Sequence, residues 1–268
     1  MSTTSNSSTG IYVTKPQVYV VGRQQIVSEE VHRFLADEGL VFTTDTEAAG
    51  EILSEIAGRT CYMSFGKGRK SNKEYLENIL ASKHGSVLEH AVWCLLITGI
   101  SRALTHELVR HRAGFGYSQL SQRYVDESDA RYVVPPLFQE NEALRAKFEA
   151  TIEQLRKAYI ELADDAAGHV QQKYPELSPR DRRKWARQAA RSILPNACET
   201  KIFITGNSRA WRHFLELRGS VHADTEIRLL AVEVFRALKR ESPNIFQDVE
   251  LAGEPDGMPS VRVGHSKV

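Results

Sequence analysis

Apolar residues recur at three- and four-residue steps over several long stretches of the chain, and as compact β-branched runs over a few short ones. The helical spacing is clearest over 140–173, where Leu144, Phe148, Ile152, Leu155, Tyr159 and Leu162 share a face. Further helices are predicted over 27–37, 44–58, 73–82, 101–112, 179–194, 207–218 and 224–240. Gly58 reads as the stop of the 44–58 helix. Ser178-Pro179-Arg180-Asp181 supplies an N-cap, a proline at the first helical position and an acid at the third. Asn207 caps the next helix and Gly219 ends it. Strands are predicted over 17–21, 91–100, 132–134 and 200–205.

With no internal repeat and no clear linker, the expected class is α+β. One domain over 14–250 would carry a mixed or antiparallel sheet flanked by long helices. Residues 1–13 are expected to be a disordered N-terminal tail, being Ser/Thr/Asn-rich without the basic and apolar blocks of a signal peptide. Residues 251–268, with Gly, Pro and little periodicity, are expected to be a C-terminal tail.

The pattern is most informative where it fails. On a helical wheel of 207–218, Ala210, Trp211, Phe214, Leu215 and Leu217 form an apolar arc, and Arg218 falls inside it. Two readings fit. Either Arg218 meets an anion or polar ligand, or it snorkels past the helix end, where the dipole favours a cation. The 101–112 helix places Arg112 between Leu108 and Val109 in the same way. In the helix from Pro179, Arg187 and Arg191 stand four apart with Lys184 beside them, a spacing at which like charges repel. Three such helices suggest one shared ligand with one or more phosphates.

The totals narrow the class. Of 268 residues, 41% are hydrophobic and 26% charged, and the net charge is +1. A general nucleic-acid binder would be far more basic, so no nucleic acid is expected and the arginines must act locally. No stretch is long and apolar enough to span a bilayer. Cys61, Cys94 and Cys198 form no C-x-x-C pair, which fits a cytoplasmic protein in a reducing compartment. The histidine spacings match no zinc signature, so no metal is expected. No G-x-G-x-x-G follows a strand, so a Rossmann site is not indicated.

Candidate chemistry concentrates in 110–124, R-H-R-A-G-F-G-Y-S-Q-L-S-Q-R-Y. Guanidinium forks match phosphate geometry. Gln and Ser offer both donors and acceptors, which suits a neutral pyrimidine ring. Ser121 lacks a G-x-S-x-G setting and an assignable base, so hydrogen bonding is its expected role.

The motifs also occur in a known order. R-H-R at 110–112, eight further residues, Ser121 and Arg123 follow H-G-S-V-L-E-H from His84. R-S-I-L-P-N-A from Arg191, T-G-N-S-R-A-W-R-H-F from Thr205 and Arg218 come after. This set resembles the flavin-dependent thymidylate synthases over about Val18 to Val249. The resemblance implies reductive methylation of dUMP to dTMP, with 5,10-methylenetetrahydrofolate as carbon donor and NADPH reducing a bound FAD. It also implies a homotetramer with active sites shared between subunits. By position it assigns His84, Ser86, Arg110, His111, Arg112, Gln119, Asn207, Ser208, Arg209 and His213 to FAD. It assigns Glu107, Leu108, Val109, Arg110, Gln119, Leu120, Ser121, Gln122, Arg123, Arg191 and Arg218 to dUMP. Arg218 matches the catalytic arginine that contacts the uracil and favours ionisation at its N3. The Arg112–Ser121 loop has the longer of the family's two spacings, and Cys198 lacks the setting of a nucleophile, so it is read as structural.

Overall fold

The computed structural model describes residues 10–268. Along the chain it forms β1 (Tyr12–Val13), β2 (Gln17–Arg23), α1 (Ser28–Asp37), α2 (Ala49–Tyr62), α3 (Asn72–Ala81) and a 3-10 turn, Gly85–His90. Next come β3 (Val92–Ser101), α4 (Arg102–Leu108), β4 (Phe115–Gln119), β5 (Tyr132–Val133), α5 (Pro136–Gln139), α6 (Glu142–Lys173) and α7 (Pro179–Ala190). A second 3-10 turn, Arg191–Ile193, precedes β6 (Glu199–Asn207), α8 (Ser208–Arg218), α9 (Thr225–Glu241), β7 (Val249–Gly253) and β8 (Pro259–Val263). The class is α+β, as expected. A four-stranded sheet has the order β2-β3-β6-β4, with β1 paired parallel to β5 and β7 paired antiparallel to β8.

The chain falls into two interleaved compact units. One comprises 10–15, Thr98–His106 and Gln119–Ile202; the other comprises Pro16–Ile97, Glu107–Ser118 and Phe203–Val268.

In the first unit α6 packs along α7. Tyr132 pairs with Tyr12 on one side and bridges to Cys198 on the other, and Ala130, Tyr132, Ile152 and Cys198 form a closed apolar cluster. Gly99 has φ +70°, and a side chain there would collide with the Lys15 carbonyl. Its N–H donates to Glu199 Oε1 (2.7 Å), a carboxylate also gripped by Arg131 through two bonds of 2.7 and 2.6 Å.

In the second unit α9 is buried along most of its length, through Ile227, Leu230, Ala231, Val234, Phe235 and Leu238, against α8, β2 and β8. Beneath α2 lies a buried polar stack. Glu51 accepts from the Asn244 backbone and side chain, and Glu55 accepts from Asn72 and Arg59. Every polar atom so enclosed needs a partner, and these residues supply one another.

Several expectations require correction. Part of the expected N-terminal tail, residues 1–9, lies outside the described residues, but Tyr12 and Val13 form β1. The expected C-terminal tail contains most of β7 and all of β8, a hairpin whose turn holds Gly257 at φ +75°. Gly58 does not stop its helix; α2 continues to Tyr62, and Gly58 is where the Tyr75 hydroxyl abuts the helix backbone. Most consequential, α4 ends at Leu108, so Arg110, His111 and Arg112 are not helical. The N–H groups of Arg110 and His111 close the helix with i+3 bonds to the Glu107 and Leu108 carbonyls (3.3 and 3.2 Å). The 113–117 segment, read as loop, contributes the start of β4.

Candidate active site

The second unit assembles most of the proposed cofactor residues around the N-terminal end of α8. Asn207 is the N-cap, its Oδ1 accepting from the Ala210 N–H (2.8 Å). Its own N–H donates to the Gly114 carbonyl (3.2 Å). Gly114 has φ +76°, and a Cβ there would meet Asn207 and Ala210 at about 2.8 Å. A glycine therefore lets the Arg-His-Arg segment dock on the start of the helix. Ser208 is fully buried, its hydroxyl donating to the Leu88 carbonyl (2.5 Å) and its N–H to Ala91 (2.8 Å). That pins α8 to the 3-10 turn carrying Ser86, which is itself exposed. Arg209 pairs with Glu89 (2.6 Å) and donates to the Val268 carbonyl (3.2 Å). His84 meets the Tyr62 ring edge-on at 5.7 Å.

At the other end of α8 sits the Arg218 cluster. Arg218 Nε donates to His111 Nε2 (3.0 Å), and one terminal nitrogen donates to Glu107 Oε2 (2.5 Å). The arginine that broke the apolar arc thus turns to an acid and an imidazole. His111 is 8% exposed, with the rings of Phe214 at 5.5 Å and His213 at 5.9 Å. Burial, then the Arg218 charge, then His213 lower its pKa from 6.5 to about 4. It is therefore neutral at pH 7, with Nε2 free of a proton and able to accept from Arg218. The half-buried Tyr117 hydroxyl lies within reach of the carbonyls of His111 (2.6 Å) and Leu108 (3.1 Å), which share its one proton, and burial raises its pKa so that it stays a donor. Tyr117 and Phe214, which pack on His111, were not among the candidate site residues, Phe214 having been read only as part of an apolar arc. A tyrosine seven residues after Arg110 carries no signature of that role.

Leu108 is buried and Val109 exposed. Arg110 and Arg112 are exposed, and among the described residues no carboxylate pairs with either. Two exposed guanidiniums without a carboxylate partner among the described residues thus flank a buried neutral histidine and form an open cationic edge.

The first unit holds the rest of the proposed substrate residues. Gln119 Nε2 donates to Thr105 Oγ1 (3.1 Å) and Thr200 Oγ1 (3.2 Å). That fixes the amide so that its oxygen remains available. The Leu120 N–H donates to the Lys201 carbonyl (2.9 Å), and its own carbonyl accepts from Arg102 (3.3 Å). Ser121 opens a turn, its carbonyl accepting from the N–H groups of Tyr124 and Val125. Gln122 is buried on Cys198 (3.7 Å). Burial, with Glu127 beside it, pushes the Cys198 thiol up to about 12, which makes it inert as a nucleophile. Arg123 has a buried Nε that finds no hydrogen-bond partner among the described residues. Arg191 begins the 3-10 turn after α7, half-buried and with no ion pair among the described residues. No cluster of three or more potential metal ligands occurs among the described residues, and no helix there is long and apolar enough to cross a membrane.

The chain matches the family model described as thymidylate synthase complementing protein over residues 43–244. A flavin-dependent thymidylate synthase of Mycolicibacterium gilvum (strain PYR-GCK) is 45% identical over 238 residues, covering 88% of this chain and 92% of that protein. Proteins of the same name from Mycobacterium avium (strain 104) and Mycobacterium tuberculosis (strain ATCC 25618 / H37Rv) are 47% and 49% identical over 228 residues, covering 84% of this chain and 89% of each relative. An open guanidinium edge, a clamped arginine at a helix end and this extent of identity lead to one assignment: the chain is an enzyme of thymidylate synthesis and belongs to the flavin-dependent thymidylate synthase family.

Proposed function

We propose that this chain catalyses the reductive methylation of dUMP to dTMP, with 5,10-methylenetetrahydrofolate as carbon donor and NADPH as the source of reducing equivalents through FAD. The observation that carries the reading is the Arg218 clamp. Glu107 and neutral His111 together hold the guanidinium plane and leave its remaining N–H groups for a planar acceptor. Negative charge developing on the pyrimidine N3 and its flanking carbonyls would meet a fixed, partly desolvated cation. Because His111 is neutral it orients Arg218 without adding a competing charge.

Ser121, Gln122, Arg123 and Arg191 fit the nucleotide, Arg123 through its unsatisfied Nε and Arg191 as an uncompensated cation for the phosphate. Gln119, locked by Thr105 and Thr200, offers its amide oxygen to a ring N–H. Leu108, Val109, Arg110 and Leu120 complete the proposed substrate set. For FAD, Arg110 and Arg112 fit the pyrophosphate, while His84, Ser86, His111, Gln119, Asn207, Ser208, Arg209 and His213 flank it. A bound reduced flavin would supply the hydride, while these residues would bind and orient cofactor and substrate and exclude water. Asn207 and Ser208 act through the backbone they fix, since the cap and the Leu88 bond use their side-chain oxygens.

The working form is proposed to be a cytoplasmic homotetramer with active sites shared between subunits, acting on small molecules and not on nucleic acid or membrane. Purified protein should be yellow, should turn dUMP, methylenetetrahydrofolate and NADPH into dTMP, and should scatter light as a tetramer. A colourless preparation that takes up no added FAD would overturn the cofactor assignment. An active monomer would overturn the shared sites.

A further inference from the structure

Beyond β8, residues 264–268 lie across α8 as a strap. Arg209, Arg212 and Glu216 fall within about 60° of one face of that helix and hold it. The strap is rooted on Asp248, whose carbonyl accepts from the Gly264 N–H (2.9 Å) and whose Oδ2 accepts from the His265 N–H (2.8 Å). Arg212 donates to the His265 carbonyl (3.3 Å), and the His265 ring reaches Glu77 of α3 (3.2 Å). Glu216 then takes two bonds, one oxygen accepting from the Ser266 hydroxyl and the other from the Lys267 N–H (3.2 Å). Lys267 has φ +57°, a left-handed turn that a lysine keeps only where surrounding bonds hold it. That turn brings the Val268 main chain onto Gly85, where a Cβ would fall 2.3 Å from the Val268 carbonyl carbon and 3.0 Å from Arg209 Nε. A glycine at 85 lets the strap and the arginine meet beside the 3-10 turn that carries Ser86 and Glu89.

Arg209 is consequently tied at two atoms, Nε to the Val268 carbonyl (3.2 Å) and Nη1 to Glu89 (2.6 Å), while its Nη2 makes no hydrogen bond among the described residues. Arg209 and Glu89 are both about half exposed, so their ion pair alone fixes the side chain weakly. The bond to Val268 supplies the second point, and it depends on Glu216 holding the turn before it. A long side chain fixed before a ligand arrives loses little freedom when it binds. We propose that Glu216 is a positioning residue which, through the 265–268 strap, sets the Arg209 guanidinium for FAD. The inference rests on the assignment of Arg209 to that cofactor.

The test titrates the full chain, freed of bound flavin, with FAD and follows binding by flavin fluorescence, with no turnover needed. Glu216→Ala should raise the Kd for FAD about three- to tenfold, the usual weight of immobilising one long side chain. Glu216→Gln should stay within about twofold of wild type, because the amide can accept from the Lys267 N–H and donate to the Ser266 hydroxyl. Ser266→Ala removes one of the two bonds and should raise the Kd by a smaller factor; it stands in if Glu216→Ala does not fold. The deciding comparison is made in an Arg209→Ala background, where Glu216→Ala should weaken binding no further. An unchanged Kd in Glu216→Ala and Ser266→Ala, a glutamine variant as weak as the alanine one, or the same loss with and without Arg209 would each overturn the positioning role. A wild type that binds no FAD overturns the cofactor assignment itself, whereas tight wild-type binding with unaffected variants overturns the strap alone.

Discussion

Two sets of arginines in this molecule face opposite problems. In the second unit Arg59 is 4% exposed, yet its donors reach Glu55 (2.8 Å) and the carbonyls of Ser64, Lys67 and Arg69 (3.0, 2.9 and 3.0 Å), with Tyr75 stacked 4.7 Å away. Arg212 is equally enclosed, meeting Asp248 through two bonds of 2.7 and 2.8 Å and the Ile245 carbonyl at 2.8 Å. In the first unit the α7 cations are more exposed, and most pair with no acid among the described residues. Burial without a partner is too costly for a guanidinium, so the enclosed arginines come with built-in acceptors and serve the fold. Those left unmatched are the ones free to serve a ligand. Arg218 stands between the two, held by protein groups on one side and open on the other.

The contrast can be tested by breaking each kind of arginine in turn. Arg212→Leu should be the most damaging to stability. It strands the Asp248 carboxylate in a buried site, at a cost of about 3–5 kcal/mol, read as a fall in the urea midpoint at unchanged slope. Arg218→Ala should keep the flavin but reduce turnover by about two to three orders of magnitude, as for loss of one preorganised donor. Near-normal turnover would remove Arg218 from the mechanism.

Acid should separate the groups by pH window. His111, with its pKa lowered to about 4, contributes stability above about 6.5, where the unfolded imidazole is also neutral. That contribution is lost as pH falls from about 6.5 towards 4, because the unfolded chain binds the proton first. Asp248 loses its contribution lower still. Burial raises its pKa, but bonds and charge from Arg212 outweigh burial and leave it below 3.8. A histidine proton signal shifting near pH 4 would support the first assignment, and one near 6.5 would remove it. The smallest effect is expected on α7, where Arg180→Ala should change stability by no more than about 0.5 kcal/mol.

The helices were largely legible because their signals are local. Ser178 and Asn207 act as the caps their sequence positions suggested, and α6 runs unbroken on its apolar spacing. What escaped reading depends on contacts distant in sequence. Gly58 looks like a stop until Tyr75 is seen against it. A two-residue strand such as β1 has no period to detect, and the β7–β8 hairpin exists because residues six to fourteen apart pair. The Arg-His-Arg trio was legible as chemistry but not as geometry. Its departure from the helix follows from Gly114 seating on α8, which no local pattern announces. The misplaced charge at Arg218 was visible from the wheel alone. Its partners Glu107 and His111, more than a hundred residues earlier, were not.

The two glycines flanking Phe115 have unequal latitude. Position 114 is closed by Asn207 and Ala210, whereas position 116 opens onto free space. A spectroscopic label attached at 116, after the exposed thiol of Cys61 is removed, would ride on the segment that bears Arg112 without loosening its hold on α8. It would report ligand arrival from a place the ligand-binding groups do not occupy.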